Sequence, residues 1–315
     1  MYNYCTLFDS NYVTRGLAMY ESLKRHSDNF HLYIFAFDER CYVLLKKLNL
    51  KSVTVIALKE FEDEALLGIK NTRSAGEYCW TCTPSIIKFA IEMYSLQNCT
   101  YLDADLYFFA NPSILIEEMG EKSVLITEHR YTPKYDQSST SGIYCVQFMT
   151  FKNDANGMKV LNWWRNACNE WCYARHEDGK FGDQKYLDDW TARFEGVHVL
   201  QHLGGGVAPW NIQQYKYDGK AFDLVFYHFH GFKFFENNKV ELGSYRLRES
   251  DLAFLYKPYV ACLEKINARI GTIDKTYDYH GSVKSTIKCT IILRNIKRWF
   301  KGAYNVYTKD YILGL

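Results

Sequence analysis

Apolar residues fall along this chain in short bursts separated by helix-length segments, and that rhythm sets the fold class. The bursts at Tyr4–Phe8, Leu32–Phe37, Val53–Ala57, Thr100–Leu102, Val124–Thr127, Ile143–Phe151, Val197–Leu200 and Leu224–Phe229 predict strands. Between several of them, Arg15–His26, Arg40–Leu48, Pro84–Leu96 and Ala155–Arg175 predict helices. Alternation of this kind as far as residue 110 means βα units and a mostly parallel sheet covered by helices. Ligands of such sheets bind at the carboxyl ends of the strands. Pro84 suits the first turn of the third helix, with Thr83 or Ser85 as its cap. No Gly-x-Gly-x-x-Gly or P-loop follows any strand, so phosphates need another anchor.

After Asn237 the pattern changes to two amphipathic helices, Glu249–Ile270 and Ser282–Lys301. The chain is therefore expected to divide into residues 1–237 and a helical extension, 238–315. The second helix interleaves Lys284, Lys288, Arg294, Lys297, Arg298 and Lys301 with Ile, Leu, Trp299 and Phe300. That composition suits an anionic membrane surface, and equally a helix packed on the core with a solvated basic face.

With 48% hydrophobic residues in 315, the chain can bury a sizeable core, which argues against disorder. Aromatic residues make up 17%, giving side chains that pack and also stack on ring-shaped ligands. A net charge of +2 leaves no overall footprint for nucleic acid. The ten cysteines follow no disulfide framework and read as reduced thiols of a cytoplasmic protein. Cys79 and Cys82 have redox spacing and Cys168 and Cys172 helix spacing, but with no second ligand pair they read as small core residues. The first residues run straight into a strand pattern rather than a secretory leader, and no stretch approaches the run of about 18 apolar residues that spans a bilayer.

Candidate chemistry begins at "YLDADLYFF", where Asp103 and Asp105 interrupt an apolar run. Residues i and i+2 of a strand share a face, so the two carboxylates can converge on one divalent cation where the strand ends. The alternative is a β-turn in which Asp103 caps backbone amides. In "VFYHFHGFKFF", His228 or His230 offers an imidazole, and one imidazole added to two carboxylates favours manganese over magnesium. Gly231 would let the backbone approach a phosphate and Lys233 would neutralise it. Thr6, Asp9 and Asn11 close the first strand where a doubly wound sheet holds a nucleotide, unless Asp9 and Ser10 only turn the chain and cap the next helix. Asp183 and Gln184 follow Gly182 at what is also an ordinary helix entry.

In combination and order, "TLFDSNYVTRGLAMYESLKRH", "TYLDADLYFF", "STSGIYCVQFMTF", "GDQKYL" and "HFHG" resemble the GT-A glycosyltransferases, and among them glycosyltransferase family 8, the group of glycogenin and bacterial lipooligosaccharide galactosyltransferases. The resemblance covers residues 1–235. It implies a GT-A (Rossmann-like) mostly parallel mixed sheet flanked by helices, and a metal-dependent transfer of sugar from a UDP-sugar, with retention, to a glycan or lipid-linked saccharide. Asp103 and Asp105 would then ligate Mn2+ (or Mg2+) with His228, and Ala104 between them would line the donor site. Thr6 and Asp9 would hold the uridine. Lys88 stands where the family has a donor-contacting arginine, although it is also spaced to pair with Glu92. Asp183 and Gln184 would lie beside the transferred sugar. Against the family pattern Lys233 comes one residue early, and Thr140-Ser141 replaces a frequent Asn-Ala. Of three rivals, the intact Asp103, Asp105, His228 and Gln184 speak against a sugar- or nucleotide-binding protein of the same fold without turnover, and the pair's late place in the chain with Leu106-Tyr107 after it speaks against an Asp-x-Asp phosphatase; an inverting transferase using Glu170, Glu177 or Asp178 as base is excluded less firmly. The expected setting is the cytoplasm, with the basic helix on the inner face of the plasma membrane.

Overall fold

The computed structural model describes residues 1–215, 223–284 and 289–315. Its first eight strands are β1 (Tyr2–Phe8), β2 (Phe30–Ala36), β3 (Val53–Ala57), β4 (Asn98–Leu102), β5 (Leu106–Phe108), β6 (Val124–Glu128), β7 (Tyr144–Lys152) and β8 (Val197–Val199). All but β5 join one seven-stranded sheet in the order β3-β2-β1-β4-β7-β6-β8. The first four strands in that order run parallel, β7 is antiparallel to both β4 and β6, and β8 returns parallel to β6. The chain leaves β1 toward β2 and β3, then crosses back to β4. The crevice between the carboxyl ends of β1 and β4 is thus the topological switch point where such sheets hold ligands.

Alternate residues of each strand face opposite layers. Tyr4, Leu32 and Ile34 pack on one side of the sheet with α1 (Val13–His26), whereas Cys5, Tyr33 and Phe35 pack on the other with α3 (Ala75–Met93) and α4 (Ala155–Glu170). Between them lies α2 (Glu39–Leu48), whose Asp38 N-cap accepts from the Cys41 amide. Helix α3 begins well before Pro84, which corrects the reading of that proline as a helix start. Ser74 and Glu77 form a reciprocal capping box at its N-terminus, and Pro84 sits inside the helix. A proline there removes one i→i−4 bond. Neighbouring hydroxyls of Thr81 and Thr83 bond back to the Glu77 and Cys79 carbonyls, four residues earlier. Helix α4 stops at Glu170 rather than Arg175, because Trp171 is extended and Ala174 is drawn across to the Glu77 carboxylate.

Beyond the sheet, β9 (Phe226–His228) pairs with β5, and β10 (Phe232–Phe235), β11 (Lys239–Leu242) and β12 (Val306–Thr308) form a small antiparallel sheet. The expected helix from Glu249 is present but opens into a π-turn over Leu252–Tyr256 before α5 (Lys257–Gly271). Tyr259, Val260, Leu263 and Ile266 of α5 share one core with Leu17, Tyr20 and Leu23 of α1. Of the second expected helix, residues 285–288 lie outside the described residues, and α6 spans Cys289–Phe300. Arg298 turns inward from α6 to Glu241 and the Gly243 carbonyl, while Trp299 and Phe300 are 66% and 77% exposed. Among the described residues, no helix is long and apolar enough to cross a membrane.

Candidate metal centre

The apolar run after Asp105 is β5, and its antiparallel register with β9 sets Leu106 opposite His228. That pairing delivers an imidazole from a distant segment to the end of β4. His228 Nε2 lies 3.1 Å from Asp105 Oδ1 and 3.7 Å from Asp103 Oδ2. One ligand atom from each of the three residues falls within 4.8 Å of the others, the spacing of a cation cage. The backbone under it is fixed: the Asp103 amide donates to Gln147 O at 3.0 Å, and the Phe229 amide to Asp105 O at 2.9 Å. Tyr101 donates its hydroxyl to Asp103 Oδ1 at 2.9 Å.

Electrostatics match a site that wants a cation. Burial raises the Asp103 pKa to about 6, with the Asp105 charge adding to it and His228 opposing it. For Asp105 burial also works upward, but contact with His228 outweighs it and holds the carboxyl below its usual range. His228 shows the reverse: burial opposes its charged form, and Asp105 nonetheless keeps its pKa well above the ordinary histidine value. His228 and Asp105 thus each favour the charged form of the other. The donor set of two carboxylates and one imidazole fits a divalent metal, and the buried Nδ1 of His228 has no nitrogen or oxygen partner. The Cys145 thiol lies alongside that ring.

The other expected residues have these surroundings, and of them Asp183 is the one that feels the charge of a cage residue. Thr6, at the end of β1, is fully buried and its hydroxyl has no hydrogen-bond partner. Asp9, one residue beyond β1, accepts from the Asn11 amide at 3.0 Å and from Asn11 Nδ2 at 3.1 Å, so the turn-and-cap geometry is present. Asp183 is buried close enough to Asp103 to feel its charge, and burial first, that charge second, raise its pKa to about 8. Gln184 donates to Ser141 O at 2.6 Å, and Asp188 accepts from the Ile143 amide at 2.7 Å. The Gly-Asp-Gln loop is thereby bolted to the entry of β7. Gly231, at φ +76°, makes the reversal between β9 and β10 that a side chain would strain.

For the remaining candidates the structure shows the following partners and exposure. Lys88 pairs with Glu92 one turn along α3. Lys233 is exposed on β10. Glu170 and Asp178 are exposed, and Glu177 is tied to Arg175 at the surface.

The segment "HLGGGVAPWNIQQY", with Gly204–Gly206, Pro209, Trp210 and Asn211, offers in sequence the flexible backbone and stacking ring expected near an acceptor or the donor phosphates, with a surface loop as the alternative; residues 204–212 are buried. Trp210 stands edge-on to His228 and His230, with centroids 5.5 and 5.4 Å away, and donates Nε1 to His129 O at 2.9 Å. Asn211 bonds the Ala208 amide and the His129 and Gly206 carbonyls, locking that wall behind His228. A tryptophan beside glycines was the available signal.

No family model matches the chain. Among solved structures, the galactosyltransferase LgtC in complex with donor and acceptor sugar analogues superposes with a TM-score of 0.52 at 11% identity, covering 84% of this chain and 95% of that one. WbbM, a bifunctional glycosyltransferase, gives 0.50 at 13% identity over 73% of this chain and 46% of that one. These likenesses show the GT-A fold. Two proteins of Bacillus subtilis (strain 168) are similar in sequence: YfnD, 30% identical over 277 residues (84% of this chain, 89% of YfnD), and YfnF, 30% identical over 295 residues (89% and 97%). Both carry the description "uncharacterized protein". The chain belongs to the family of YfnD and YfnF, built on the GT-A glycosyltransferase fold.

Proposed function

We propose that the protein is a metal-dependent glycosyltransferase that moves a sugar from a UDP-sugar to a glycan or lipid-linked saccharide, with retention of configuration. The observation that carries this reading is the cage of Asp103, Asp105 and His228 at the switch-point crevice, with ligand atoms within 4.8 Å. Those residues would hold Mn2+, which when bound offsets the charge that grows on a leaving diphosphate. Thr6 and Asp9 receive the uridine at the end of β1, and Ala104 lines the donor site beside them. Gln184, anchored on Ser141, presents a neutral amide to the transferred sugar, which suits stabilisation better than nucleophilic attack. Asp183 lies next to it. Gly231 brings backbone amides toward the diphosphate, with Lys233 and Lys88 supplying positive field from farther out. Residues 1–237 form the transferase body and 238–315 its extension.

The test is a screen of UDP-sugars for hydrolysis with and without manganese, repeated on Asp103→Asn. Metal-independent turnover, or full activity in the variant, sinks the reading. A peripheral membrane site is supported by the exposed pair Trp299 and Phe300 beside Lys297 and Lys301. Binding of the Trp299→Ala/Phe300→Ala variant to anionic vesicles should fall while donor hydrolysis persists; unchanged binding removes the membrane reading and with it the assignment to the inner face of the cytoplasmic membrane.

A further inference from the structure

The loop that closes β1 is held by residues far away in the chain. From α2, Asp38 accepts from the Ser10 amide at 2.8 Å and from the Ser10 hydroxyl at 2.5 Å. From the other side, the segment Asp274–Val283 lies along the same loop like a strap. Tyr277 donates its hydroxyl to Asn11 Oδ1 at 2.7 Å. Tyr279 O accepts from the Thr14 amide, and His280 O accepts from Arg15 at 2.9 Å. Gly281, at φ +59°, lies so close that a Cβ there would stand 2.5 Å from Asn11 O. The strap is anchored outward in turn: His280 Nε2 is 3.2 Å from Glu264, Glu264 is 3.0 Å from Lys309, and the Arg40 guanidinium covers the Tyr277 ring at 4.6 Å.

Within this arrangement one chain of hydrogen bonds reaches a ligand-facing group. Asn11 accepts from Tyr277 through Oδ1 and uses Nδ2 to donate to Asp9 Oδ2 at 3.1 Å. An amide held at its oxygen has its nitrogen direction fixed, so Tyr277 determines where Asn11 grips the Asp9 carboxylate. We propose that Tyr277 is a positioning residue for the nucleotide pocket, acting through Asn11 on Asp9, and that the C-terminal strap is thereby a working part of donor binding. This rests on the glycosyltransferase reading, in which Asp9 meets the uridine.

Tyr277→Phe keeps the ring under Arg40 and removes only the hydroxyl. Calorimetric titration of UDP in the presence of MnCl2 should show Kd rising roughly three- to tenfold, the worth of one hydrogen bond. Affinity for Mn2+ alone and the melting temperature should stay at wild-type values, which a general loss of structure would not allow. In an Asn11→Ala background the same substitution should add less than a twofold loss, because the link it breaks is already gone. If the wild type binds UDP and Tyr277→Phe binds it within twofold as well, or if the full loss persists beside Asn11→Ala, the inference is overturned while the activity stands. If the wild type itself binds no UDP, the glycosyltransferase reading and this inference fall together.

Discussion

Asp103→Asn should raise the stability of the metal-free protein and abolish its response to manganese. In the folded chain the Asp103 pKa is raised from 3.8 to about 6, chiefly by burial, and each unit is worth 1.36 kcal/mol, so ionised Asp103 costs about 3 kcal/mol. Its side chain remains 28% exposed, and solvent screening reduces that cost to about 1–2 kcal/mol. The sign follows from proton counting. Between about pH 4 and pH 6 the folded state retains a proton that the unfolded chain has released, so stability falls as pH rises through that window and the full cost is present at pH 8. Asparagine carries no charge and can still accept from Tyr101. In EDTA at pH 8 its urea midpoint should therefore exceed that of the wild type, and at pH 4 the two should coincide. With manganese at a hundredfold its Kd the wild type gains about 2.7 kcal/mol and the variant little, so the order inverts. Buried Trp164, Trp190 and Trp210 provide the fluorescence signal. A variant less stable than wild type in EDTA at pH 8, or one stabilised equally by manganese, refutes the cage.

Asp105→Asn should act in the opposite direction, costing about 2–4 kcal/mol without metal, because the His228 imidazolium loses its partner at 3.1 Å and keeps only Asp103 at 3.7 Å. Metal-free urea unfolding at pH 7 checks this, and equal behaviour of the two asparagine variants contradicts it. Burial lowers the His129 pKa to about 3, so between about pH 6.5 and pH 3 the unfolded chain binds the extra proton and stability drops with acid. At pH 4.5 the wild type should have lost about 2.7 kcal/mol more than His129→Phe, relative to pH 7; parallel pH profiles exclude it. Asn211→Ala breaks three buried hydrogen bonds and should cost about 3–4 kcal/mol by chemical denaturation. A loss under 1 kcal/mol would mean that water replaces the amide, roughly cancelling the penalty.

The sheet was legible because its strands are apolar runs of the right length and its helices carry ordinary periodicity. Asp103 and Asp105 stood out for the same reason, as charges ending such a run. What failed is instructive. Pro84 was treated as punctuation, although the helix start lay upstream in the Ser74–Glu77 box, which local chemistry does encode. The segment Gly204–Asn211 offered glycines that fit either a ligand-side loop or a surface loop, and its burial was not legible because it depends on Asn211 satisfying three backbone groups contributed by folded neighbours. Tyr277 and Asn11 are 266 positions apart, and no periodicity records a contact of that range.

The surroundings of the cage also explain why an apolar strand ends in acids. Thr6 on β1 and Gln147 on β7 each carry a buried side-chain polar atom without a hydrogen-bond partner, His228 Nδ1 on β9 has the Cys145 thiol rather than a nitrogen or oxygen beside it, and Gln147 O is the acceptor for the Asp103 amide itself. Each such group destabilises the fold by about 1–3 kcal/mol. Apolar residues of the same size would remove that penalty. Leu106 and Phe108 supply the counterweight: fully buried beside β9, they hold the strand that brings His228 to the carboxylates. A core selected for stability alone has no need of either feature. Under the proposed function both have a use, because a pocket that holds a cation and a polar ligand can employ buried groups that the protein itself leaves unpaired.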